Sequence, residues 1–189
     1  KLGYYDEALT YYKDGLNLYE EIGNKKEISA SLSNIGVVYK SQGNQNMALE
    51  YYEKSLQIEL ETGDKIGLVA SYINIGGIYH AQGNLEQALA YYKRSLKICE
   101  EINYKRGMIP GLSNLGSLFV ELKDIDKAII CFSKALKHAE ESKNKSEIAN
   151  CLNNIGLTYG IQGKYDLALK KLNKSIKISK EIRDKFGIT

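Results

Sequence analysis

Two histidines and three cysteines are the side chains of this 189-residue chain best suited to hold a metal or act as nucleophiles. Metal ligation needs several such groups at short spacing, and covalent catalysis needs a nucleophile placed beside a base. His80 and His138 are far apart and share no ligand spacing. Cys99, Cys131 and Cys151 are odd in number and form no Cys-x-x-Cys pair, so neither a zinc site nor a disulfide framework is indicated, and a reducing compartment fits best. No Gly-rich phosphate loop, nucleophile elbow or paired-carboxylate motif occurs. The expectation is therefore no enzyme, no cofactor and no metal. A different chemistry is repeated along the chain: Asn34, Asn74, Asn114 and Asn154 recur every 40 residues. A carboxamide both donates and accepts, so a ladder of them can pair with successive peptide units of an extended guest. Equally, each Asn can bond to the backbone of a neighbouring helix and fix the stacking angle; both roles can coexist.

The elements that must position this ladder follow the same period. Ala8, Ala48, Ala88, Ala128 and Ala168 are 40 residues apart, and so are the glycines of Asn34-Ile35-Gly36, Asn74-Ile75-Gly76, Asn114-Leu115-Gly116 and Asn154-Ile155-Gly156. Three residues after each of those glycines stands Tyr39, Tyr79, Phe119 or Tyr159. Within a period Leu32, Ile35, Gly36 and Tyr39 make one i, i+3, i+4, i+7 stripe, and Ala48, Tyr52, Ser55 and Leu56 another, which predicts two amphipathic helices. Turn signals separate them, such as Gly43-Asn44 and Gly83-Asn84, with Gly suited to the left-handed end of one helix and Asn or Asp to capping the next. First helices are expected at about 26–42, 66–82, 106–122 and 146–162, and second helices at about 5–21, 45–61, 85–102, 125–141 and 165–182, with no strand. The mid-helix glycines cost about 1 kcal/mol each relative to Ala, so they predict close approach of the paired helix.

These residues resemble the tetratricopeptide repeat family, whose pattern reads here as Leu32, Ile35, Gly36, Tyr39, Ala48, Tyr52 and Ser55. The fourth copy departs from it only at Leu172, where an aromatic is usual. The period is 40 instead of the family's usual 34 or so, and the usual proline is absent near Leu60. That longer form is similar to the repeats of kinesin light chains, Leu-Gly-Asn-repeat signalling modulators and bacterial sensor proteins. The resemblance implies an all-α fold, a right-handed superhelix of antiparallel helix pairs in a single array. It would comprise a partial repeat at 1–25, repeats at 26–65, 66–105, 106–145 and 146–184, and the start of another at 185–189. It also implies that first helices line a concave face. Candidate groove residues are then Asn34, Ser33 and Lys40 with Val37 and Ser41 in the first full repeat, and Asn74 and His80 with Ile73 and Gly77 in the second. The third offers Asn114 and Ser117 with Ser113 and Glu121, and the fourth Asn154, Asn150 and Asn153 with Leu157 and Gly160. The expected function is a protein-interaction scaffold for a peptide or partner domain, with a ligand-sensing segment of a larger signalling protein as the alternative.

Composition fits this reading. A net charge of +3 is too balanced for a general polyanion binder, so nucleic acid is not expected. No apolar run approaches the roughly 20 residues of a spanning helix, and no signal peptide opens the chain. The cytoplasm is the expected compartment, with an extracytoplasmic input region of a membrane-anchored protein as the alternative. Eight Lys or Arg against three acids over 164–185 fall on a second helix and read as a solvated face. The pairs Tyr11-Tyr12, Tyr51-Tyr52 and Tyr91-Tyr92 read as packing. Residues 1–4 are expected to be the tail of a first helix, and Lys185 to Thr189 the start of another. Uncapped ends would either continue or stack on a second copy. Pro110, inside the third first helix, predicts a late start or a kink.

Overall fold

Asparagine or aspartate begins most of these helices, and left-handed residues stand between them. In the computed structural model, which describes residues 2–186, Asn24 accepts from the Glu27 N–H at the start of α2 (Lys25–Ser41). Asn44 does the same for Met47 in α3 (Gln45–Thr62), and Asp64 accepts from Ile66 and Gly67 in α4 (Lys65–Ala81). The remaining helices are α1 (Leu2–Glu21), α5 (Leu85–Glu101), α6 (Lys105–Glu121), α7 (Ile125–Glu141), α8 (Lys145–Ile161) and α9 (Tyr165–Phe186). Among the described residues there is no strand. Gly23, Gly43, Gly63, Gly83 and Gly163 take positive φ between the helices; Asn103, Lys123 and Lys143 take the same left-handed conformation without being glycine.

Two compact units result, Lys1–Ile98 and Cys99–Thr189. In the first, α1 packs on α2, α2 on α3 and α3 on α4; in the second, α6 packs on α7, α7 on α8 and α8 on α9. Ala48, Tyr52, Ile75 and Ile78 form a buried cluster of the first unit, ringed by Tyr39, Leu49, Leu56, Tyr79 and Tyr91. Ala128, Phe132 and Ile155 do so in the second, with Phe119, Val120, Leu136 and Tyr159 around them. The repeated glycines sit where expected: a Cβ on Gly36 or Gly76 would lie 2.7 Å from the ring of Tyr52 or Tyr92, and one on Gly116 or Gly156 2.7 Å from Phe132 or Leu172. Tyr51 and Tyr91 stack on Tyr39 and Tyr79 at 5.4 and 5.5 Å and Tyr52 and Tyr92 are buried, so these two pairs are packing residues, whereas Tyr11 and Tyr12 are exposed, against expectation.

Three expectations are corrected. First, α6 starts at Lys105 like its counterparts, with Pro110 as its sixth residue. Proline there removes the one N–H that would bond to the Arg106 carbonyl, while burial of Ile109, Gly111 and Leu112 holds the turn. Second, residues 2–4 continue α1 and are not the tail of another helix. Third, α9 runs through Arg183, Asp184 and Lys185, where a turn and a new helix were expected. Continuing the helix keeps its backbone hydrogen bonds, although Lys143, 40 residues earlier, takes the left-handed turn. Residues 187–189 lie outside the described residues.

The sequence reading also missed a set of ion pairs at a spacing of 36 residues. Lys25, Lys105 and Lys145 meet Glu61, Glu141 and Glu181 at 3.1, 3.0 and 2.7 Å, each tying the start of a first helix to the end of the second helix in its own pair. All are exposed, so they align the hairpin more than they stabilise it.

Candidate functional site

The first-helix surface of the second unit is a groove between α6 and α8, built by one face of each helix. Positions 109, 110, 113, 117, 120 and 121 of α6 and 147, 150, 151, 154, 157, 158 and 161 of α8 recur at helical spacing and so lie along that groove. Its first part is a cleft of about 390 Å³, into which Asn114, Asn150, Asn153 and Asn154 converge beside Ser113, Pro110 and Glu147. The second part, of about 280 Å³, is more apolar: Val120, Phe132, Leu157 and Ile161 line it with Ser117, Glu121 and Thr158. Asn154 lines both parts. Five sequence-predicted site residues, Asn114, Ser117, Asn150, Asn153 and Asn154, thus fall on one continuous line of clefts. Among the described residues no hydrogen bond engages the carboxamides of Asn34, Asn74, Asn114 or Asn154. Ser117 donates to the Ser113 carbonyl at 3.2 Å, and Thr158 to that of Asn154 at 2.7 Å, so both hydroxyls are turned to their own helices.

Glu147 and Cys151 were not anticipated. Their signal was available, because Glu147, Asn150, Cys151 and Asn154 form an i, i+3, i+4, i+7 row on α8. One oxygen of Glu147, Oε2, is out of solvent with no hydrogen-bond partner. Burial pushes the Cys151 thiol up to about 11, against a smaller opposing effect of Ser113, so it is an inert wall of the cleft.

The other predicted residues lie in the first unit and divide by role. Asn34 and Lys40 are exposed on α2, and Asn74 and His80 are half-buried on α4. His80 Nδ1 lies 3.4 Å from the Tyr92 hydroxyl, and Lys40 reaches over Gly77, with its Nζ 3.5 Å from where a Cβ would stand. Ser33 instead joins the packing: it donates to Ser55, whose hydroxyl contacts the Ser29 carbonyl at 2.8 Å and Glu59 Oε1 at 2.9 Å. Glu59 is buried against Gly67, where a Cβ would meet its Cγ at 2.8 Å. Burial raises its carboxyl above the ordinary value despite the nearby Ser71 and Ser55 hydroxyls, and neither its Oε2 nor the Ser71 hydroxyl has a partner at hydrogen-bonding distance. Eighty residues on, the same joint is inverted: Ala139 is fully buried on the second helix and Glu147 stands on the first.

Among the described residues no group of His, Cys, Asp or Glu is arranged to hold a metal, and no helix is long and apolar enough to cross a membrane. The profile of the tetratricopeptide repeat matches residues 1–61, 27–101 and 108–181. No curated protein matches the chain at a significant level. Among solved structures, the chain is similar to BtubC from P. vanneervenii, with a TM-score of 0.82 at 20% identity over 97% of this chain and 76% of that one. It is also similar to a Rap protein complexed with Competence and Sporulation Factor, with a TM-score of 0.86 at 20% identity over 98% of this chain and 52% of that one. Apo RapI gives a TM-score of 0.79 at 22% identity, over 95% of this chain and 50% of that one. The chain therefore spans about half the length of the two Rap chains, and at these identities the likeness concerns the fold.

Proposed function

The chain belongs to the tetratricopeptide repeat family, and from that premise we propose that it is a non-enzymatic interaction scaffold that holds an extended peptide segment of a partner protein on its first-helix face. The observation that carries this reading is the convergence of Asn114, Asn150, Asn153 and Asn154 on one open cleft. Four carboxamides supply donors and acceptors in the alternation that a peptide backbone presents, so they can hold a main chain while leaving its side chains to neighbouring positions. The exposed Asn34 and Lys40 and the half-buried Asn74 and His80 extend the same chemistry to the first-helix face of the first unit. The test is a double substitution, Asn150→Ala with Asn154→Ala, in the 189-residue chain. Binding to captured partner or peptide should fall at least tenfold with helicity and melting nearly unchanged. Unchanged binding would remove the groove from the interaction.

A second reading is favoured by one observation, the similarity to a Rap protein solved with Competence and Sporulation Factor. On that reading the chain is the sensing segment of a longer regulatory protein. The sequence of the whole protein decides it: an effector domain beyond this segment supports sensing, and its absence supports a free-standing scaffold.

A further inference from the structure

We infer that the groove of the second unit selects a peptide segment carrying a basic side chain and, two or three residues away from it, an apolar one. This rests on the groove reading above and adds the chemistry of the guest. The two parts of the groove differ in character. The first is walled by carboxamides, a serine and Glu147; the second by Val120, Phe132, Leu157 and Ile161. The charged side chain that lines the first cleft, Glu147, is acidic.

Glu147 gives the first cleft its preference. It lines this cleft, so an ammonium or guanidinium entering beside Asn150 would meet an opposite charge, whereas a carboxylate would meet a like one. The second cleft offers exposed Leu157 and Ile161, at 53% and 62%, above the buried Phe132 ring, a seat for a Leu, Met or Phe side chain that would shed water on entering. The spacing follows from the helix. The two clefts are centred about six residues apart on α8, which at ~1.5 Å per residue is roughly 10 Å. An extended chain at ~3.3 Å per residue covers about 7 Å in two residues and about 10 Å in three. Asn154, lining both parts, is placed to hold the peptide unit between the two side chains.

The test uses N-acetylated, C-amidated heptapeptide pools presented to the intact 189-residue chain. One pool carries Lys or Arg at position 3 and Leu, Met or Phe at position 5 or 6; a matched pool carries Glu at position 3; a third carries Ser there. Capture of the basic pool at least tenfold over the acidic pool is the expected result. Glu147→Gln should reduce that ratio severalfold, and Leu157→Ser should lower capture of all pools bearing an apolar residue, with circular dichroism showing both variants folded. If the acidic or neutral pool is captured as well as the basic one, yet Asn150→Ala with Asn154→Ala abolishes capture, the selectivity is refuted and the groove reading survives. If no pool is captured, or the asparagine substitutions change nothing, both fall.

Discussion

The same substitution, made at two positions of one helix, should have opposite signs. Gly156 and Gly160 both lie in α8. A Cβ on Gly156 would stand 2.7 Å from Leu172 Cγ, 2.9 Å from its Cδ2 and 3.2 Å from the Ala168 carbonyl oxygen, whereas nothing lies within 4 Å of one on Gly160. Alanine in a helix is worth up to about 1 kcal/mol over glycine, and less near a terminus. Gly160→Ala should therefore stabilise by about 0.5 kcal/mol. At Gly156 that gain is opposed by overpacking, which costs about 1–3 kcal/mol where the obstacle includes backbone that cannot rotate away. Gly156→Ala should destabilise by a net ~1–2 kcal/mol. For a chain of this size, each 1 kcal/mol moves the melting temperature by roughly 2–4 °C, so calorimetry resolves the two cases. Leu172→Ala supplies the control: with the obstructing side chain shortened, Gly156→Ala should cost less than in the parent, a coupling that a double-mutant cycle reads directly. A neutral or stabilising Gly156→Ala in the parent would refute close helix approach as the reason for this glycine.

Three further outcomes are expected. Glu59 has a raised carboxyl in the folded state, so the native chain keeps its proton over an interval where the unfolded chain has lost it. Its contribution is then fullest below the unfolded value of about 4.5 and is lost as pH rises through the folded one; Glu59→Gln should flatten that decline in urea midpoints between pH 4 and 8, and an unchanged slope would contradict it. Lys123→Gly and Lys143→Gly should each stabilise by about 0.5–1 kcal/mol in chemical denaturation, because both residues sit at positive φ, while Asn103→Gly should gain less. Burial holds the Cys99 and Cys151 thiols up at about 11, so a thiol reagent at neutral pH should modify them only on unfolding; rapid labelling of the native chain would disprove the packing described.

Most of the fold could be read from period and residue type. The glycine and alanine rows, the Asn and Asp caps and the apolar stripes place the interior helix ends within a residue or so, because each signal is local and recurs at the same interval. Pro110 misled where tertiary packing overrides a local preference, since one lost hydrogen bond is small against the buried Ile109 and Leu112. The repeat period did not reveal that α1 starts at Leu2 and that α9 runs on to Phe186. Part of the candidate site was legible as a ladder of asparagines. Glu147 was not singled out, since a glutamate in a first turn reads as an ordinary helix-start residue, although it shares the α8 row of Asn150 and Asn154. Ser33, listed by its position on the helix, proved to be bonded into the Ser55 and Glu59 packing, a contact between elements that helix periodicity does not encode.

The inverted acid at the joint between successive pairs bears on how such a chain avoids folding out of register. Copies this alike invite a second helix to dock on the wrong first helix, a slip of 80 residues that would put Ile155 in the place of Ile75, with Thr158 in that of Ile78. Docking α3 on α8 would bring Glu59, for which Gly67 now leaves room, against Glu147. Two carboxyls would then contend for one dehydrated space, with an excess of volume and, once ionised, of charge. That wrong neighbour is thereby disfavoured by a single side chain, whereas α6 carries Gly107 at the same position.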